Sequence, residues 1–460
     1  MNDQNVTRIW YTINVVLGIM SVIMICEISL EIYKTPIEIV MQSFTHPICN
    51  FSFPAVAICN TNKFSKKRIT HYASEISVKS NVSLENVIRY LSALGDLHDN
   101  VYDKNKNYAY IQTLIEKFGS NNFSTNTLFY ILNILSTPCD ELLINCVWKQ
   151  QIHKCSKIFQ WRFLDLGFCC VFNYHRKSFY NTFQVKDERQ CISGWEEGLQ
   201  VTIYNDVDDY FYNPTFELGA TVQIFNPADY PDITSGNLLL QLLQVGTIAF
   251  FSLEPRKFYS VDEIRKYPVH LRNCMFHDER LTVFGNYSYS NCLVECRMAS
   301  IFALCECIPF FMPYERNHSC TLSNIRCLSK YQDKWRNLYP FGFHSDELDK
   351  EKENSLDCEY CYSDCTTVNY HLRFSSVPFN AHHKDIMKLN RYNVIHVYYE
   401  RSRAKLYKQD VVYYWYEAIS NLGGIVGIFL GFSFISVIEM LQSIGRKIVH
   451  SIRNLSKSTS

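Results

Sequence analysis

Near its C-terminal end the chain runs Ser420-Asn-Leu-Gly-Gly-Ile-Val-Gly-Ile-Phe-Leu-Gly-Phe-Ser-Phe-Ile-Ser-Val-Ile-Glu439, and no other stretch restricts the fold as much. It is long enough to cross a bilayer as a helix. Gly423, Gly427 and Gly431 recur at every fourth position, so all three share one helical face. Small residues at that spacing let helix backbones approach closely. Ser420, Asn421, Ser433 and Ser436 add a polar edge that a lipid-facing anchor does not need, because polar groups in a span face protein or water. The sequence predicts a helix built to pack against others. Two readings stand side by side: a glycine ladder in a non-conducting anchor, or the lining of a pore.

A second apolar stretch, Ile9 to Leu30, lies at the other end, with Glu27 as its one charge. A signal peptide is the rival reading. Against it, the apolar core is long and no small-x-small cleavage site follows. Arg8 precedes this stretch, and Arg446, Lys447 and Arg453 follow the other. Basic flanks mark the cytosolic side. The expected organisation is a short cytosolic N-terminus (1–8), transmembrane helix 1 (9–30), an extracellular cysteine-rich domain (31–410), transmembrane helix 2 (411–441) and a cytosolic C-terminus (442–460). Leu238–Leu253 is apolar too, but Gln241 and Gln244 interrupt it, and it reads as buried strands.

Nineteen cysteines in 460 residues would suggest metal in the cytosol and disulfides outside the cell. The topology selects disulfides. Glycosylation sequons at Asn50, Asn81, Asn122, Asn286 and Asn317 fall in the same region. Residues 31–60 read as extended chain, beginning around Tyr33. Residues 65–160 read as helical, 200–255 as sheet and 366–410 as β-prone chain; 274–365 hold most of the cysteines. The run Asp346 to Glu353 reads as a solvated loop or helix end. Cys292 and Cys296 are spaced by four, and Cys358, Cys361 and Cys365 by three and four. Each set fits one helical face, so two antiparallel helices stapled like a ladder are expected, although spacing does not fix connectivity. A zinc cluster is the rival, with too many and too scattered cysteines for a four-ligand site.

Equal numbers of basic and acidic residues, 45 of each, imply no nucleic-acid partner. There is no G-x-S-x-G, H-E-x-x-H or P-loop pattern, so no enzyme and no cofactor is expected. His277-Asp-Glu279 and His382-His383 read as surface residues, and no metal site is expected. Thirty-one Tyr and 31 Phe read as core.

Three motifs carry a resemblance. Phe53-Pro-Ala-Val-Ala-Ile-Cys-Asn60 resembles the post-membrane signature of degenerin/epithelial sodium channels. Asn291-Cys-Leu-Val-Glu-Cys296, followed by Cys305-Glu-Cys307-Ile-Pro-Phe-Phe-Met-Pro313, resembles their cysteine-rich thumb. Gly431-Phe432-Ser433 resembles their Gly-x-Ser selectivity filter. The likeness runs from Arg8 to about Arg446 and has the flavour of the insect pickpocket branch. It implies an α+β membrane protein: two transmembrane helices flanking a large disulfide-rich extracellular domain (palm β-sheet with finger and thumb helices, 274–365 thumb-like), assembled as a trimeric channel. It implies the pairs Cys59–Cys169, Cys146–Cys155, Cys274–Cys365, Cys292–Cys361, Cys296–Cys358, Cys305–Cys327 and Cys307–Cys320. Cys49, Cys139, Cys170 and Cys191 are left without assigned partners, and Cys26 lies in the first span. Ser420 matches the family's degenerin gating position, and Gly427 its amiloride-contact region. Gly423 and Gly424 are expected to pack around the pore. Glu417 and Asn421 near the outer mouth, and Glu439 near the inner end, supply vestibule charge and polarity.

One departure concerns the first eight residues, which lack the His-Gly pair that family members use for gating. It predicts either a truncated sequence or a subunit that gates abnormally. The expected function is a subunit of a sodium-permeable, non-voltage-gated, amiloride-sensitive cation channel, a homo- or hetero-trimer with related subunits. The alternatives are a non-conducting accessory subunit and a two-pass disulfide-rich receptor or adhesion protein. The gating stimulus is not legible.

Overall fold

The computed structural model describes residues 3–118, 125–176, 187–214, 217–312, 318–340, 342, 349–379, 390–431 and 433–458. In chain order the main elements begin with helix α1 (Asp3–Lys34) and strands β1 (Ile37–Pro47) and β2 (Ala55–Asn60). Helices α2 (Lys66–Ser80), α3 (Leu84–Asp99), α4 (Tyr108–Phe118) and α5 (Thr125–Leu135) follow. Then come strands β3 (Leu143–Trp148), β4 (Gln151–His153), β5 (Phe159–Leu164), β6 (Gly167–Phe172) and β7 (Leu199–Tyr204). Strands β8 (Gly219–Phe225), β9 (Leu239–Gln244) and β10 (Thr247–Ser260) lead to helix α6 (Tyr289–Cys305). The chain closes with β11 (Thr367–Pro378), β12 (Tyr392–Tyr399), β13 (Arg403–Val411), α7 (Trp415–Leu430) and α8 (Phe434–Ser458).

These residues form two compact units, one of 41–259 with 273–407 and one of 1–40, 260–272 and 408–460. In the larger unit an eight-stranded sheet runs β1-β13-β10-β12-β7-β3-β4, with β11 also on β10, and a five-stranded sheet runs β9-β8-β2-β6-β5. Strand β2 shows why the sheets pack face to face. Val56 and Ile58 point into a core with Phe172, Val201, Leu253, Ile395 and Val397, while Ala55, Ala57 and Cys59 point to the opposite face with Val171 and Leu164. That is the period of two expected of a strand. Burying each large apolar side chain contributes about 1.5–3 kcal/mol.

The helices of this unit are closed by their own sequence. Ser65 Oγ accepts the N–H of Arg68 at 3.2 Å to start α2, and Asn81, with a left-handed φ of 59°, ends it. In α3, Gly95 leaves room for the ring of Tyr212, which lies 2.5 Å from where a β-carbon would stand. The apolar faces of α2 to α5 share a core with α6 and its cystines.

Three expectations change here. Tyr33 belongs to α1, which runs to Lys34, and not to extended chain. The helical reading of 65–160 holds to Leu135 and in the short helices Cys139–Leu142 and Cys155–Ile158, but Cys146 and its neighbours are drawn into β3, where Cys146 lies opposite Val201 of β7. Cys358 and Cys361 lie in a turn, closed by the Cys361 N–H to the Cys358 carbonyl at 2.8 Å. The Leu356 N–H is bonded to the Asn337 carbonyl and Ser363 pairs with Cys274, and no helix forms between them. The staple therefore joins helix α6 to a turn, not to a second helix.

In the smaller unit α7 packs against α1, and a β-carbon on Gly18 would stand 4.0 Å from Leu430 Cδ2. The Val412 N–H reaches the Pro36 carbonyl at 2.9 Å, the Val261 N–H reaches Gln409 O at 3.1 Å, and Gln409 Nε2 reaches Arg272 O at 3.0 Å. Residues 260–272 thus cluster with the terminal helices. Among the described residues one helix is long and apolar enough to cross a membrane, over Arg8–Lys34. The stretch 411–441 is not a single helix. Helix α7 stops at Leu430, Gly431 turns left-handed with φ 64°, and α8 begins at Phe434. Glycine takes that conformation without a β-carbon clash and commonly ends helices. The expected ladder is shortened accordingly: Gly423 and Gly427 lie in α7, and Gly431 caps it.

Candidate functional site: the break between the last two helices

The site is built from the capping chemistry of two successive helices. At the start of α7, Glu417 Oε2 accepts the N–H of Tyr414 at 3.0 Å, and the Tyr414 hydroxyl donates to Asp410 Oδ1 at 2.8 Å. Glu417 is thereby tied to the first turn. Ser420 and Asn421 are exposed on α7. β-Carbons placed on Gly423 or Gly424 would meet nothing within 4 Å, whereas Ile425, Val426 and Phe429 are half-buried. Gly427 is half-buried, and its carbonyl accepts the N–H of Gly431 at 3.0 Å.

Two residues on, Ser433 Oγ accepts the N–H of Ser436 at 3.3 Å, and the two hydroxyls stand 3.2 Å apart. Gly431 therefore closes one helix and Ser433 opens the next. Phe432, the middle of the expected filter, lies outside the described residues. Glu439 is exposed in the second turn of α8. A helix end leaves its last carbonyls without intrahelical donors. The break thus gathers carbonyl and hydroxyl oxygens, which suit a hard cation. From the sequence Ser436 was read as part of the polar edge and not as a partner of Ser433. The signal was present, since a glycine stop followed by Ser-x-x-Ser is a stop-and-restart pattern.

Nine disulfides occur among the described residues. They are Cys49–Cys191, Cys59–Cys169, Cys139–Cys170, Cys146–Cys155, Cys274–Cys365, Cys292–Cys361, Cys296–Cys358, Cys305–Cys327 and Cys307–Cys320. The two pairs that the sequence left open are Cys49–Cys191 and Cys139–Cys170. Cys26 is free and exposed in α1. Asn50, Asn81 and Asn286 are exposed; Asn122 and Asn317 lie outside the described residues, as does His382-His383. His277 is exposed. No cluster of three His, Cys, Asp or Glu among the described residues is placed to hold a metal.

The family model for the amiloride-sensitive sodium channel matches residues 1–442. The chain belongs to this family. Membership makes it a membrane protein of an ion-channel family. Among its relatives is the sodium channel protein Nach of Drosophila ananassae, 23% identical over 95% of this chain and 82% of that one. Pickpocket protein 28 of Drosophila melanogaster is 22% identical over 93% of this chain and 72% of its own length. The bile acid-sensitive ion channel of Mus musculus is 24% identical over 85% of this chain and 73% of its own.

Proposed function

We propose that this chain is a subunit of a sodium-permeable, non-voltage-gated, amiloride-sensitive cation channel, with 411–441 as its second span and with both termini in the cytosol. Three subunits, copies of this chain or related ones, bring their α7 helices together around an axis. The break at Gly431 and Ser433 carries this reading, because an anchor has no use for an interrupted helix at that depth. Irregular backbone at membrane depth is tolerated where it lines a water-filled path or is covered by protein. The open space at Gly423 and Gly424 leaves room for a neighbouring subunit. The two apolar stretches carry no series of arginines of the kind that senses voltage. Sodium is named by the relatives called sodium channels, and the amiloride contact is assigned at Gly427.

Voltage-clamp recording tests the reading. Ser420, exposed on α7, is the position at which a bulky side chain holds the pore open. Ser420→Phe is expected to give a steady inward sodium current, alone or with a related subunit, that amiloride blocks. Ser433→Trp, added to it, is expected to abolish that current or shift its reversal potential. If Ser420→Phe and Ser420→Val both reach the surface, alone and with related subunits, and pass no current, the chain is an accessory subunit.

A further inference from the structure

The larger unit holds a cavity of about 1040 Å³ that the channel reading does not use. One end of it is aromatic. Trp161 and Phe168 stack with ring centres 5.1 Å apart, and Phe163 meets Phe168 edge-on at 4.7 Å. Phe129 closes on Phe168 at 5.1 Å and Phe310 on Phe163 at 5.5 Å. These rings come from β5, β6, α5 and the loop after α6, so four separate parts of the chain converge on one wall.

The other end lies at the first turn of α6, where two carboxyls meet. Asp364 Oδ1 accepts the N–H of Tyr289 at 3.0 Å, and Asp229, only 7% exposed, is bonded to Ser288, the residue that caps α6. A carboxylate has about four acceptor sites, so each keeps capacity to spare. The hydroxyl of Tyr230, shut off from solvent, has no hydrogen-bond partner among the described residues. The nearby cations are bonded elsewhere, although the charge of Arg176 still reaches Asp229. Arg176 donates to Asn291 Oδ1 at 3.2 Å and to the Phe284 carbonyl at 3.1 Å, and its guanidinium lies 4.1 Å from the Phe284 ring. Arg162 donates to Gln160 Oε1 and the Arg176 carbonyl. Burial pushes Asp229 up to about 6, and burial with the charge of Asp229 pushes Asp364 up to about 8. Two carboxyls that resist ionising together are relieved by a cation placed beside them.

We propose that this cavity binds a small aromatic amine, with its ring against the Trp161–Phe163–Phe168 wall and its ammonium between Asp229 and Asp364. The volume matches that of organic-ligand pockets, which are mostly apolar with a few convergent polar groups. The amine donates to the spare carboxylate acceptors. Binding is read without any current, so failure here and failure of the channel reading are separate results.

The test uses the purified full-length chain at neutral pH and three indole probes that share one ring and differ in side-chain charge: tryptamine, indole-3-propionate and 3-methylindole. Calorimetric titration is expected to give saturable tryptamine binding at least tenfold tighter than that of either other probe. Asp364→Asn is expected to weaken tryptamine at least tenfold and to leave 3-methylindole unchanged. Asp229→Asn serves as the second variant, and gel filtration checks that each is folded. Tryptamine bound no tighter than 3-methylindole, or indole-3-propionate bound more tightly, overturns the proposal on the wild-type chain alone. So does an amine preference that survives intact in both folded variants.

Discussion

Asp364 is raised by burial and by the neighbouring Asp229 to about 8. A carboxyl raised in this way supports the folded state fully only below its unfolded value of about 3.9, and that support is lost as pH climbs through the folded value. Asp364→Asn keeps an acceptor for the Tyr289 N–H and removes the titration. On heating the full-length chain, the wild type is expected to lose melting temperature relative to Asp364→Asn between pH 5 and 8, by about 2–4 °C for each kcal/mol of linkage. Parallel pH profiles for the two would remove the argument. Nothing in the sequence marks Asp364 or Asp229 as buried: one precedes a cysteine and the other follows an Asn-Pro turn. The sequence drew attention instead to His277-Asp-Glu279, which the structure leaves exposed. Burial of a charge depends on which distant residues meet, and here the α6 terminus and the chain around Asp229 are brought together by the fold. Ser420 and Gly427 were placed on a helix by local spacing, while the capping bond of Glu417 to the Tyr414 N–H was not foreseen, since the sequence reading gave Glu417 only as a vestibule charge.

At the scale of elements, local periodicity was the part that could be read. The long apolar helix α1, the alternation of β2 and the strands around β8 to β13 follow from spacing alone. The break at Gly431 was foreshadowed by the glycine, but a window of apolar residues hides a stop inside it. The turn at Cys358 and Cys361 misled for a related reason, since spacings of three and four fit a helix but do not require one. What holds that turn is covalent. Cys292–Cys361 and Cys296–Cys358 tie it to successive turns of α6. Arg297, next on the helix, bonds to Asp232 at 3.1 Å, to Thr234 Oγ1 at 2.8 Å and to the Trp335 carbonyl at 2.9 Å. Cys296→Ser leaves its partner thiol free and removes one of two staples, a loss that typically costs about 2–5 kcal/mol. Surface biotinylation is expected to show the variant at well under half of the wild-type level. Undiminished surface expression would mean that the Cys292–Cys361 staple and the bond from the Tyr287 hydroxyl to the Tyr362 carbonyl suffice to hold the turn.

For the whole molecule, the disulfides decide which side of the membrane the larger unit faces. All nine described pairs lie between Cys49 and Cys365, and the free Cys26 is in the apolar helix before them. Disulfides at this density form in oxidising compartments, so the proposed topology places that part of the chain outside the cell. Helix α1 leads into it from one end. At the other, the proposed topology has the chain return, because Arg446, Lys447 and Arg453 are basic residues of the kind kept on the cytosolic side. Both termini in the cytosol require a second crossing, and the proposed topology assigns it to the broken α7–α8 segment. The arrangement commits the exposed sequons to the oxidising side. Asn81, at the left-handed end of α2, and Asn286, in a short exposed strand, are open to a glycan. Asn81→Gln and Asn286→Gln are each expected to speed migration on a gel by one glycan step, and the shift should vanish after enzymatic deglycosylation. Tags at Met1 and Ser460 on the same protein should stain only after the cells are permeabilised. A tag at Ser460 that stains on intact cells, with both glycans present, would leave α1 as the one crossing and take the pore away from Gly431 and Ser433.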